Sequence, residues 1–98
     1  MNLFDTLKKV TITASHGDMQ REISGVNMDS RLVKPGNLFI AVKGTQADGH
    51  AYIPKAIELG ASAILMSEPI PAEKAEGVTY VQVADTEDAV GKVATQFY

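Results

Sequence analysis

A chain of 98 residues makes one domain at most, with a modest core. It is 45% hydrophobic and 21% charged, an ordinary globular composition, and its net charge is −3. The mild acidity and lack of a basic run argue against a nucleic-acid footprint, the absence of cysteine excludes disulfides and thiolate metal sites, and no apolar run approaches the roughly 20 residues of a membrane span.

Leu3, Phe4, Leu7 and Val10 recur at helical spacing and predict a short amphipathic helix, with Asn2 as its N-cap. The lysines here follow the apolar residues, and no apolar core stands behind them. That is not a signal peptide, and a soluble cytoplasmic protein is expected. His16, Gly17 and Asp18 read as a turn. Glu22 to Met28 alternates loosely and predicts a strand, with Gly25 marking a bulge or a close backbone approach. Lys34-Pro35-Gly36-Asn37 is a turn in which Gly36 supplies a positive φ. Leu38–Val42 follows as a continuous apolar run, the mark of a strand covered on both faces.

Lys43 to Gly49 is a loop. Ile53, Ala56 and Ile57 predict a helix starting near Ala51, because Pro54 is tolerated only in a first turn, and Gly60 stands where a left-handed cap belongs. Ala63–Met66 is a second buried strand. Glu68 to Gly77, with Pro69 and Pro71, is a surface loop. Thr79–Val83 is a further strand. Asp85 or Thr86 caps a last helix whose buried stripe is Val90, Val93, Ala94 and Phe97. The order α, β, β, α, β, β, α predicts an α/β fold, a small mixed or parallel sheet flanked by helices. Its centre is a parallel βαβ unit over Leu38–Met66.

Common catalytic motifs are absent. There is no GxxxxGK(S/T) loop, no GxGxxG after a strand, no GxSxG elbow and no HExxH. His16 and His50 are the only histidines, and a surface or capping role is expected of them; no residue is expected to bind a metal. The acidic residues of EPIPAEKAEG read as a solvated loop. The domain by itself is therefore expected to bind rather than react, with no catalytic residue.

Two polar loops carry the binding chemistry. In Met28-Asp29-Ser30-Arg31, one reading has Asp29 or Ser30 capping the next turn, with Arg31 a surface cation. The other has Ser30 offering its hydroxyl to a ligand and Arg31 its fork of donors to a phosphate or carboxylate. In Gly44-Thr45-Gln46-Ala47-Asp48-Gly49-His50, one reading is a connector whose glycines permit unusual φ. The other uses position, because ligands of open α/β sheets bind beyond the carboxyl ends of strands. Backbone N–H groups could then meet a phosphorylated small molecule, Thr45 and Gln46 could hydrogen-bond a base or sugar edge, and Ala47 leaves room for backbone approach. Local signals do not decide between these readings and name no ligand.

The string DSRLVKPGNLFIAVKGTQADGHAYIPKAIELGASAIL resembles the N-terminal domain of the Mur ligases. The likeness rests on Asp29-Ser30-Arg31, then Pro35-Gly36-Asn37-Leu38-Phe39, then Asp48-Gly49-His50, then Ala56 through Gly60-Ala61 into Ala63–Met66. It covers essentially the whole chain. Asn37 departs from the commoner aspartate, and histidine also occurs in relatives at the place of Thr45. Gln46-Ala47 favours the branch that adds the third peptide residue of the peptidoglycan precursor over the branch that adds D-alanyl-D-alanine, which shares the other pieces.

The resemblance implies that Met28, Ser30, Thr45, Gln46 and Ala47 contact the uridine diphosphate end of UDP-N-acetylmuramoyl-L-alanyl-D-glutamate. Asp48, Gly49 and His50 would shape the loop. It further implies a longer parent enzyme in which ATP and Mg2+, held by a central domain, activate the D-glutamate carboxyl. A C-terminal domain would present the incoming diamino acid, meso-diaminopimelate or L-lysine. Residues 1–98 would then be a single substrate-binding domain, a fragment of that parent, inactive alone and without cofactor, its partners the substrate and the parent's other domains. A standalone nucleotide-sugar binding module and a ligand-free interaction domain are the competing readings.

Overall fold

The computed structural model describes residues 1–44 and 47–98. Eight regular elements follow in chain order: α1 (Leu3–Thr6), β1 (Ala14–His16), β2 (Gly25–Asn27), β3 (Asn37–Ile40), α2 (Ile53–Glu58), β4 (Ala63–Met66), β5 (Thr79–Gln82) and α3 (Thr86–Phe97). Single 3-10 turns stand at Ser30–Leu32 and Gly49–Tyr52. The strands form one five-stranded sheet in the order β1-β5-β4-β3-β2. β2, β3, β4 and β5 are parallel neighbours, and β1 adds antiparallel to β5. The expected α/β class and the parallel β3–α2–β4 unit are thus present in a mixed sheet.

Strand pleating splits the apolar runs between two cores. Leu38 and Ile40 of β3, with Ala63 and Leu65 of β4 and Val81 of β5, pack under α1 and α3 against Leu3, Leu7, Ala89 and Val93. Phe39, Ile64, Met66 and Tyr80 point to the opposite face and pack with Val33, Ala41, Ala56 and Ala61. Burial on both faces explains why β3 and β4 read as unbroken apolar runs rather than alternating ones.

The turns are built as the residues require. Gly36 has φ 88°, and the Asn37 N–H donates to the Lys34 carbonyl at 3.1 Å, closing the Pro-Gly turn. Gly60 has φ 106° and ends α2 in a Schellman motif: Gly60 N–H donates to Ile57 O at 3.0 Å and Ala61 N–H to Ala56 O at 3.0 Å. A Cβ at Gly60 would lie 2.8 Å from Pro35 Cα, so the end of α2 seats directly on that turn. The buried Asn37 uses both ends of its amide. Its Oδ1 accepts from Lys34 N (3.0 Å) and Asn27 Nδ2 (2.8 Å), and its Nδ2 donates to Ser24 Oγ (3.2 Å). Aspartate could replace only the acceptor half.

The structure corrects several expectations. β1 lies where only a turn was read. All three of its residues are exposed, so no apolar alternation marks it, and it exists because β5 offers a free edge. α1 is a single helical turn, capped by Asn2 through Asp5 N–H at 2.8 Å, and Phe4 faces solvent. Residues 49–52 form a 3-10 turn, and α2 begins only at Ile53, with Pro54 in its first turn. The buried line of α3 runs through Thr86, Ala89 and Val93; Val90 and Phe97 are partly covered, and Ala94 is exposed. Asp85 caps α3, accepting from Glu87 and Asp88 N–H.

Candidate functional site

Beyond the carboxyl ends of β2 and β3 lies a cleft of about 730 Å³. Its position is the one parallel sheets favour for ligands, because adjacent loops diverge there. Met28, Phe39, Val42 and Ala47 form an apolar floor, and Asp29, Ser30, Arg31, Tyr52 and Lys55 supply a polar rim. Of the residues anticipated from sequence, Met28, Ser30 and Ala47 are brought together here. Thr45 and Gln46 lie outside the described residues.

Asp29 takes the capping role. Its Oδ1 accepts from Arg31 N–H at 3.0 Å, closing the 3-10 turn that presents Ser30. The same carboxylate holds the Arg31 guanidinium at both oxygens, Nε at 3.0 Å and Nη2 at 2.7 Å. Arg31 is an exposed cation, its side chain 84% exposed, and it is held in direction by Asp29 where it lines the cleft. The Arg31 hydrogen bonds hold the Asp29 carboxyl at about 2, below its ordinary 3.8.

A depressed folded-state pKa stabilises the fold above the ordinary pKa, and the contribution is lost as pH falls through the folded one. The Asp29 carboxyl carbon should accordingly titrate near pH 2 by NMR. Asp29→Asn should remove part of the stability change between about pH 4 and 2. An Asp29 midpoint near 3.8 would mean that the pair does not form.

The second loop is closed on itself. Lys43 bridges Asp48, Gly44 N–H donates to Ala47 O at 2.9 Å, and Gly49 N–H donates to Val42 O at 2.8 Å. Asp48 caps the following 3-10 turn through His50 N–H at 3.0 Å. These three N–H groups are consumed internally and are not free for a ligand phosphate; the tip of the loop, where backbone donors were expected, lies outside the described residues. Charge in the cleft falls instead to Arg31 and Lys55, the latter only loosely paired with Glu58 at 3.8 Å.

Of the surface or capping role expected, His50 is not at the surface, its side chain being 5% exposed, and its ring accepts a backbone N–H instead. Its ring bonds to Asp48 Oδ1 at 2.7 Å and to Ser67 N–H at 3.0 Å. Donor atoms of Asp48, His50 and Glu68 lie within 4.8 Å of one another. A cation there would have to displace the bonds that both ring nitrogens already make.

Sequence reasoning missed Phe39, Val42, Tyr52 and Lys55 as cleft residues. Phe39 and Val42 were read as strand core; Phe39 is, whereas Val42 lies two residues past β3 and is only partly buried. Tyr52 and Lys55 stand three apart, so a helical segment opening at Gly49 puts both on one face beside the loop; that spacing was the available signal.

The family model described as "Mur ligase family, catalytic domain" matches residues 22–98. The chain belongs to the Mur ligase family, as its N-terminal domain. It is similar to the UDP-N-acetylmuramoyl-L-alanyl-D-glutamate--2,6-diaminopimelate ligase of Bacteroides thetaiotaomicron, 58% identical over 98 residues, covering 100% of this chain and 20% of that protein. It is 55% identical, with the same coverage, to the ligase of that name from Phocaeicola vulgatus. Among solved structures it resembles MurF from Acinetobacter baumannii, with TM-score 0.79 and 26% identity over 93% of this chain and 19% of that one. The chain thus spans about 20% of the length of the ligases it matches.

Proposed function

We propose that this domain holds the UDP end of UDP-N-acetylmuramoyl-L-alanyl-D-glutamate within a longer, cytoplasmic ligase that adds meso-diaminopimelate. The observation that carries the reading is the cleft, in which Met28, Ser30 and Ala47 meet over an apolar floor beside Arg31 and Lys55. The names of the relatives support diaminopimelate as the added residue. No helix among the described residues is long and apolar enough to cross a membrane.

The apolar floor suits the faces of a uracil ring, and the Ser30 hydroxyl can serve a base or ribose edge in either hydrogen-bonding sense. Arg31 and Lys55 would face the diphosphate. Arg31 is already oriented by Asp29, so little rotamer freedom remains to be lost on binding. Holding a remote, unreacting part of the substrate in place is how such a domain assists a reaction: it fixes the D-glutamate carboxylate for attack.

ATP and Mg2+ would supply the activation of that carboxyl. The residues here do not fit them, because the Gly44, Gly49 and His50 N–H groups are bonded internally and the chain has no GxxxxGK(S/T) sequence. Both would belong to other parts of the longer enzyme, and the 98-residue chain alone should be inactive.

Titrating UDP into the 15N-labelled chain tests the reading. Amide shifts should concentrate at Met28–Arg31, at Gly44–Gly49 and at Tyr52. Saturable shifts confined to the β1 edge, or none up to millimolar UDP, would refute it.

A further inference from the structure

We propose that His50 is a positioning residue for the cleft: its ring ties the loop bearing Ala47 to the end of β4 and sets that loop's pose without touching the ligand. The proposal rests on the cleft being the UDP site, and its test separates the two ideas.

The geometry dictates the ring's chemistry. A backbone N–H can only donate, so the 3.0 Å bond from Ser67 makes Nε2 the unprotonated nitrogen. Nδ1 then carries the proton and donates to Asp48 Oδ1 at 2.7 Å. That oxygen also accepts the His50 backbone N–H at 3.0 Å. The two bonds hold the Asp48 carboxyl below its ordinary value, the backbone bond contributing most. Asp48 is thus a charged acceptor for the ring and for the 3-10 turn, while its backbone pairs with that of Lys43 to close the hairpin.

The other end of the latch is firm. Ser67 directly follows β4, which is buried along its whole length in the interior of the sheet. The Ser67 hydroxyl lies 3.4 Å from the same Nε2, at the limit of contact. The ring therefore spans from the sheet to the hairpin, and the hairpin carries Ala47 into the cleft opposite Met28 and Ser30. Alanine, lysine or arginine at position 50 could not accept from Ser67. Glutamine could, through its Oε1.

Two measurements on the 98-residue chain decide the matter. The first reads the His50 tautomer by long-range 1H–15N correlation at neutral pH. The expected result is protonated Nδ1 and bare Nε2, and a protonated Nε2 would overturn the proposal. The second compares variants with UDP as the probe. His50→Ala should raise the UDP Kd about tenfold, the scale of one or two lost hydrogen bonds, and move the Gly44, Ala47 and Asp48 amides. His50→Gln should return the Kd to within about threefold of the parent.

Unchanged amides and Kd in His50→Ala would also overturn the proposal. Should His50→Ala fail to fold, the tautomer and His50→Gln still decide. A parent chain that shows no UDP shifts refutes the proposed function instead, and the latch then stands or falls on the tautomer and on the loop amides of the variants.

Discussion

Phe39→Ala should cost about 3–5 kcal/mol, read as a fall in the urea midpoint at unchanged slope. Phe39 is fully buried, one of the largest such side chains in the molecule, and packs among Ile64, Met66, Ala56 and Tyr80 beneath α2. Its neighbours belong to two hydrogen-bonded strands, β4 and β5, and a helix, so they cannot collapse cheaply into the vacated space. Small domains rest on about 5–15 kcal/mol in all, so the variant would approach the threshold of folding. Phe39 also floors the cleft, so UDP shifts should vanish even under conditions where the variant remains folded. Phe39→Leu keeps most of the volume and should cost less than about 1.5 kcal/mol while binding persists. A cost below about 1 kcal/mol for Phe39→Ala would show that the side chain is not packed as described.

Gly49→Ala should cost about 1–3 kcal/mol and abolish the UDP response. A Cβ there would sit 2.7 Å from Val42 N, 2.9 Å from Val42 O and 3.2 Å from Ala41 Cα. All three are backbone atoms at the end of β3, so no side chain can swing aside. Relief requires breaking the Gly49–Val42 hydrogen bond, and that bond closes the loop bearing Ala47. Gly91→Ala is the control. It lies within α3 with nothing inside 4 Å of the new methyl, and should stabilise the chain by about 0.5–1 kcal/mol through helix propensity. Thermal melts of the two variants should move in opposite directions. A Gly49→Ala chain that melts with the parent and still answers UDP would mean that the close approach is not needed.

These variants rest on features of unequal visibility. Pro35-Gly36 announced its turn because proline presets φ and glycine alone takes the positive φ that follows. Gly60 and Asp85 announced helix ends for similarly local reasons. β3 and β4 were visible because burial on both faces leaves an unbroken apolar run. β1 had no such mark, since Ala14, Ser15 and His16 are all exposed and join the sheet by pairing with β5. α1 stopped after one turn although its apolar spacing runs on to Val10, because spacing records which residues face the core and not whether the backbone between them is helical.

The site divides along the same line. The family resemblance grouped Met28, Ser30 and Ala47, which do share the cleft, and Asp29 was legible as a cap through its side-chain chemistry. The pairing of Asp29 with both ends of the Arg31 guanidinium was not, nor was the burial of His50. By itself, the sequence determined the α/β class, the central βαβ unit, the turns and the family, because periodicity, caps and positive-φ glycines are local properties of the chain. Only the tertiary structure decided which N–H groups were already spent, which side chains shared the cleft, and what His50 bridged. Those are contacts between segments distant in sequence, and no local preference encodes them.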